Sequence, residues 1–154
     1  MDEVDRDAVV ALRTCFEALG ADNPERRAVS EITENIPQLA RFLALRSVWP
    51  ELIGVWVAPG SLETIPAANR LLSNGAYRDD LAQLVRSTTY DAIFGLLYRL
   101  TTHGRDDEAP DDSPGWRLME TTATGELTGR AVQSLHESLL SMDPSGRDGQ
   151  DLFD

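Results

Sequence analysis

The stretch from Arg78 to His103 sets the strongest limit on what this chain can fold into. It contains no proline, and its apolar residues recur at steps of three and four, which is the repeat of a helix. Its second half, Ala92-Ile93-Phe94-Gly95-Leu96-Leu97-Tyr98, is apolar almost all the way round. A helix of that kind belongs at the centre of a bundle, surrounded by others. Gly95 would allow a close helix–helix approach, at a cost of up to ~1 kcal/mol in helix propensity. The cluster Ser87–Thr89 marks where the helix would break, if it breaks at all.

The rest of the chain supplies the neighbours. Val4, Ala8, Leu12, Cys15, Phe16 and Leu19 form one helical face, and Gly20 stops it. Asn23-Pro24-Glu25 reads as a capped helix start leading to Val29, Ile32, Ile36, Leu39 and Leu43. Pro37, inside that run, either kinks the helix or opens a new one capped by Asn35. Trp49-Pro50 interrupts the pattern. Residues 52–57 fit a helical stripe or a short strand, and the spacing of Trp49, Leu52, Ile53 and Trp56 favours the helix. After the turn at Pro59-Gly60, Ser61 caps a segment with Leu62, Ile65 and Leu72 on one face, ended by Asn74-Gly75.

Beyond the acidic stretch 104–115 the period changes. Trp116, Leu118 and Glu120 alternate with Arg117, Met119 and Thr121, residues 123–126 read as a turn, and Leu127-Thr128 pairs back. A two-stranded hairpin is marginal alone and must pack on the bundle. Val132, Leu135, Leu139, Leu140 and Met142 give a last helix capped by Thr128. The expectation is a mainly α, single-domain helical bundle of about five to six helices with one short β-hairpin near residues 116–128. Residues 1–142 form the helical domain and residues 143–154 a flexible acidic tail.

Composition narrows the chemistry. All fourteen basic residues are arginine. A chain without lysine has no Schiff-base lysine, no phosphate-loop lysine and no lysine base. Arginine-biased codons give the same composition without any selection on chemistry. The net charge of −12 leaves no basic surface for direct nucleic-acid binding. Cys15 is the only cysteine, so neither an intrachain disulfide nor a cysteine metal cluster forms, and its place on the apolar face predicts a buried thiol. The N-terminus Met1–Asp5 is acidic, unlike a signal peptide, and no apolar run reaches the ~20 residues of a membrane span. The expected setting is cytoplasmic, with no cofactor and no metal. Nothing in the sequence sets the oligomeric state.

The catalytic candidates are few. His136, with Glu137 or Glu120 as an orienting carboxylate, would be a general base, and His103 is a second histidine at a helix end. His136-Glu137 lacks the second histidine of a zinc-protease motif, since position 140 is Leu140. The recognition candidates are better furnished. Asp106, Asp107, Glu108, Asp111 and Asp112 lie beside Trp116 and Arg117, with Arg130 a little further on. Trp and Arg are typical interface anchors. These features point to a small, acidic, non-catalytic protein that engages a basic protein surface, a physical profile shared by bacterial immunity proteins and antitoxins. No motif ties the chain to one such family. Two alternatives stand beside this reading. One is a nucleic-acid mimic that inhibits a DNA-binding protein. The other is a small hydrolase or transferase using a His/carboxylate pair.

Overall fold

A computed structural model describes residues 3–153. Met1, Asp2 and Asp154, which belong to the acidic termini read from the sequence, lie outside it, as do the side chains of Val4 and His103. The described residues form a mainly α protein. It has five α-helices, α1 (Glu3–Ala18), α2 (Pro24–Glu34), α3 (Gln38–Leu45), α4 (Pro66–Ser73) and α5 (Arg78–Tyr98), and one antiparallel hairpin of β1 (Met119–Thr121) and β2 (Leu127–Ala131). The chain resolves into two compact units interleaved in sequence. The first is Met1–Ala44 with Leu100–Gln133, and the second is Leu45–Arg99 with Ser134–Asp154.

In the first unit α1 ends at Gly20, whose φ of +72° suits a residue without a Cβ, while the Ala21 amide reaches back 2.9 Å to the Phe16 carbonyl. Phe16 is fully buried and meets Phe42 edge-on at 5.9 Å. The Arg27 guanidinium lies 5.4 Å from the Phe42 ring centroid. The buried face of α1 turns on Val9 and Phe16, one helical position away from Cys15, so the thiol predicted to be buried is exposed. Pro24 opens α2 as expected, but Asn23 takes a left-handed backbone and makes no side-chain cap. Of the two outcomes at Pro37, the second occurs: α2 stops at Glu34 and α3 begins at Gln38. Asn35 is the left-handed residue ending α2. The start of α3 is capped by Glu31, whose Oε2 accepts from the Leu39 amide at 2.8 Å.

The hairpin falls where the alternation placed it. Its turn closes through the Thr122 amide to the Glu126 carbonyl at 2.8 Å, with Gly125 at φ +86°. Met119 pairs with Ala131 and Thr121 with Leu127, with one irregularity between them. Thr128 lies inside β2 and caps no helix.

In the second unit the Trp49-Pro50 step opens a π-helical turn, Trp49–Ile53, followed by a 3-10 turn, Gly54–Val57. This stretch is helical, as the spacing favoured, but irregular in pitch because Pro50 has no amide to donate. Ser61 makes no cap to the turn after it. Pro66 opens α4, packed through Ala68 with Leu62 and Ala82, and Gly75 at φ +89° follows its end. Helix α5 is unbroken, and the hydroxyls of Ser87, Thr88 and Thr89 donate to carbonyls of the preceding turn at 3.1, 2.8 and 2.7 Å.

Trp49, 2 % exposed, donates its indole N–H to the Leu139 carbonyl at 2.6 Å. The predicted last helix is replaced by two short 3-10 turns, Leu135–Ser138 and Leu140–Met142, because residues 127–131 are committed to the hairpin. The segment expected as a tail contributes Leu152, 2 % exposed, to the same core. It is held by Arg86 on Asp151 at 2.7 Å and by the Asp143 carboxylate, which accepts from the amides of Ser145 and Gly149 at 2.9 Å each. Burial pushes the Asp143 carboxyl up, but these hydrogen bonds outweigh it and hold the group below the usual carboxylate range.

Gly149 takes φ +70°, and a Cβ there would lie 3.0 Å from Leu140 Cδ2 and 3.2 Å from Trp49 Cη2. Gly149→Ala is therefore expected to cost about 1–3 kcal/mol. Hydrogen exchange should show faster amides over residues 143–153, with little change along α5.

Candidate recognition site

Residues 105–115 leave and re-enter the fold at one point. The Trp116 amide donates to the Gly104 carbonyl at 2.7 Å, closing the base of the loop. Both glycines at this base are dictated by space: Gly104 has φ +68°, and a Cβ on Gly115 would stand 2.3 Å from the Gly104 carbonyl oxygen. Within the loop, turns form from Ala109 to Asp106 and from Ser113 to Pro110, and the Glu108 amide donates to Asp106 Oδ1 at 3.1 Å. The carboxylates predicted for recognition, Asp106, Asp107, Glu108, Asp111 and Asp112, are all exposed. Asp111 has Arg105 at 3.7 Å, a long and solvated pair worth little.

Beside the base lies a cleft of about 300 Å³. Thr101 and Val132 are its buried walls, and Arg105, Trp116, Arg117 and Gln133 give it an aromatic and polar rim. Trp116 is half-buried and Arg117 exposed. The structure thus brings the acidic loop, Trp116 and Arg117 together.

Arg130 is placed differently. Its Nε and Nη2 grip Glu120 in a bidentate pair at 2.7 and 2.6 Å, and Nη2 also reaches Glu31 Oε1 at 2.8 Å. Thr128 Oγ1 donates to Glu120 Oε2 at 2.6 Å. Glu31 is 4 % exposed and Glu120 9 %. Burial pushes Glu120 up, yet the hydrogen bonds from Arg130 and Thr128 and the Arg130 charge prevail, holding it below the ordinary carboxylate value. The hydrogen bond to Glu120 leads the effects that raise Arg130, and it outweighs the opposing burial. The contacts of Arg130 are therefore internal, joining α2 to both strands of the hairpin. Sequence reasoning missed Glu31, which lies one helical turn beyond Ala28 on the same buried face. A lone glutamate there carries no signal until its partner 99 positions away is known.

The histidine candidates do not assemble with a carboxylate among the described residues. The oxygens of Glu120 are taken by Arg130 and Thr128. His136 packs edge-on against Phe94 and Tyr98, at 5.3 and 4.9 Å, and its buried Nδ1 has no hydrogen-bond partner among the described residues. Glu137 is exposed, and the side chain of His103 lies outside the described set. Among the described residues no group of three or more His, Cys, Asp or Glu is placed to hold a metal ion.

Removing Arg130 alone strands two buried carboxylates. Arg130→Met should cost about 3–5 kcal/mol, read as a fall in the urea midpoint, whereas Glu31→Leu/Glu120→Leu/Arg130→Met should recover most of the loss. The sign of the pH dependence follows from the lowered Glu120 value. Its stabilisation is complete above the ordinary glutamate range and is lost as pH falls below about 4. The triple variant should show a shallower loss in that window.

The chain matches no known family, no characterised protein and no solved structure to which it was compared.

Proposed function

We propose that the protein is a non-catalytic recognition protein that engages a basic surface on a partner protein through the 105–115 loop and the adjoining cleft. The observation that carries this reading is the pairing of an exposed acidic loop, clamped at its base, with a cleft rimmed by Trp116 and Arg117. Clustered carboxylates speed the encounter with a positive surface, and a half-buried tryptophan beside a cleft offers an anchor once contact is made. Closing the loop at its base lowers the entropy lost on binding. The chain's net charge of −12 adds a long-range field of the same sign. A cytoplasmic setting is part of the proposal, supported by a lone cysteine whose exposed thiol suits a reducing compartment.

The test is capture of a partner from the native cell, followed by binding kinetics with that partner. Neutralising the loop (Asp106→Asn, Asp107→Asn, Glu108→Gln, Asp111→Asn and Asp112→Asn together) should slow association about tenfold or more at low salt, with the gap closing as salt is added. Trp116→Ala should act mainly on dissociation. Unchanged association after neutralisation removes the loop from the interface.

A further inference from the structure

The second half of α5, expected at the centre of a bundle, instead leaves Leu96 57 % exposed and Phe94 37 %. The cleft beside the base of the 105–115 loop is chemically better defined. Its lining includes two arginines, Arg105 and Arg117, and no acid. In a chain with twenty-six acids and fourteen arginines, that is a local inversion of charge. Arg117 is exposed and forms no ion pair among the described residues. Arg105 reaches Asp111 at 3.7 Å and the Pro110 carbonyl at 3.5 Å, both long contacts that a stronger partner displaces at little cost. Thr102, Ser113 and Gln133 add hydrogen-bonding side chains to the same lining, and Leu118 and Val132 add apolar surface. A guanidinium presents a planar fork that matches a carboxylate through two parallel hydrogen bonds. At about 300 Å³ the cleft lies at the lower end of ligand-site volumes, which suits one side-chain-sized group rather than an extended ligand.

We propose that the cleft is a carboxylate site, filled by one acidic side chain standing within the basic surface of the partner. The surrounding charge selects this occupant. Asp106, Asp107, Glu108, Asp111 and Asp112 are exposed in the adjoining loop and the net charge is −12, so a free anion is repelled on approach. A carboxylate carried on a basic surface is not, because its positive neighbours are drawn to the loop as it enters the cleft. Arginines beside acids thus call for a partner with the reverse alternation, and a wrong partner leaves like charges facing each other. The assignment to a partner's side chain rests on the recognition function proposed above, whereas the cleft's preference for a carboxylate does not.

Titration of the full chain, followed by nuclear magnetic resonance at constant ionic strength, tests this without the partner. The probes are N-acetylglutamate α-amide, the uncharged N-acetylglutamine amide of the same shape, and inorganic phosphate. The glutamate derivative should shift the Trp116 indole and the Gly104 and Gly115 amides saturably, and the glutamine derivative should bind about tenfold more weakly. Arg117→Gln, an exposed change, should weaken the glutamate derivative about fivefold with an unchanged circular dichroism spectrum. Neutralising the five loop acids should strengthen it severalfold, the opposite of their effect on association with a basic partner. Equal binding of the two derivatives overturns the proposal, as does binding unaffected by Arg117→Gln. Phosphate bound more than about tenfold tighter than the glutamate derivative overturns it too, by assigning the cleft to a free oxyanion. If the glutamate derivative does not bind while loop neutralisation still slows the partner, the carboxylate site falls and the loop reading stands. Saturable binding with unchanged partner association supports the site and removes the loop.

Discussion

The first unit depends on one arginine shared between two buried carboxylates. Arg130 joins the hairpin to α2, and the second oxygen of Glu31 passes the connection on to the Leu39 amide at the start of α3. Such a cluster adds little net stability over a well-packed apolar equivalent, because desolvating three charges nearly cancels their attraction. What it adds is directional. A short hairpin with few apolar side chains is marginal by itself, and the bidentate grip allows one orientation of β2 against α2. Arginine alone among the basic side chains offers that planar fork, so a chain whose bases are all arginine has the right donor for this joint.

The second unit is organised by packing more than by charge. Trp49 sits at its centre with both halves of its chemistry used, the ring against Tyr90 at 6.2 Å and the N–H on the Leu139 carbonyl. The turns around it are irregular. Pro50 stands at the start of the wider turn, which buries both Trp49 and Ile53. The C-terminal residues complete the core because Asp143 folds them back through three local hydrogen bonds.

Much of this was legible in the sequence. Apolar spacing located α1, α2 and α5, and alternation located the hairpin with its turn, because those signals depend on local period alone. The acidic loop beside Trp116 and Arg117 was also visible, since it is contiguous in sequence. What escaped was set by specific side-chain partners that a local period does not reveal. Cys15 fell on the wrong side of α1 because the buried face turns on Val9 and Phe16, where Phe16 meets Phe42, one helical position away from Cys15. The role of Thr128 changed from cap to strand once its hydroxyl had Glu120 to bind. Leu152 looked like part of a polar tail because its neighbours are polar, and only the Asp143 turn brings it inward.

The clamp between Gly104 and Trp116 separates the fold from what the loop contains. Closing a loop costs an entropy that grows only with the logarithm of its length. Residues 105–114 can thus be shortened, lengthened or rewritten at small thermodynamic cost, provided the two glycines at the base remain. A lineage carrying this frame is free to diversify the loop rapidly while α1, α2 and the hairpin drift slowly, so related chains should differ most where they meet the outside world.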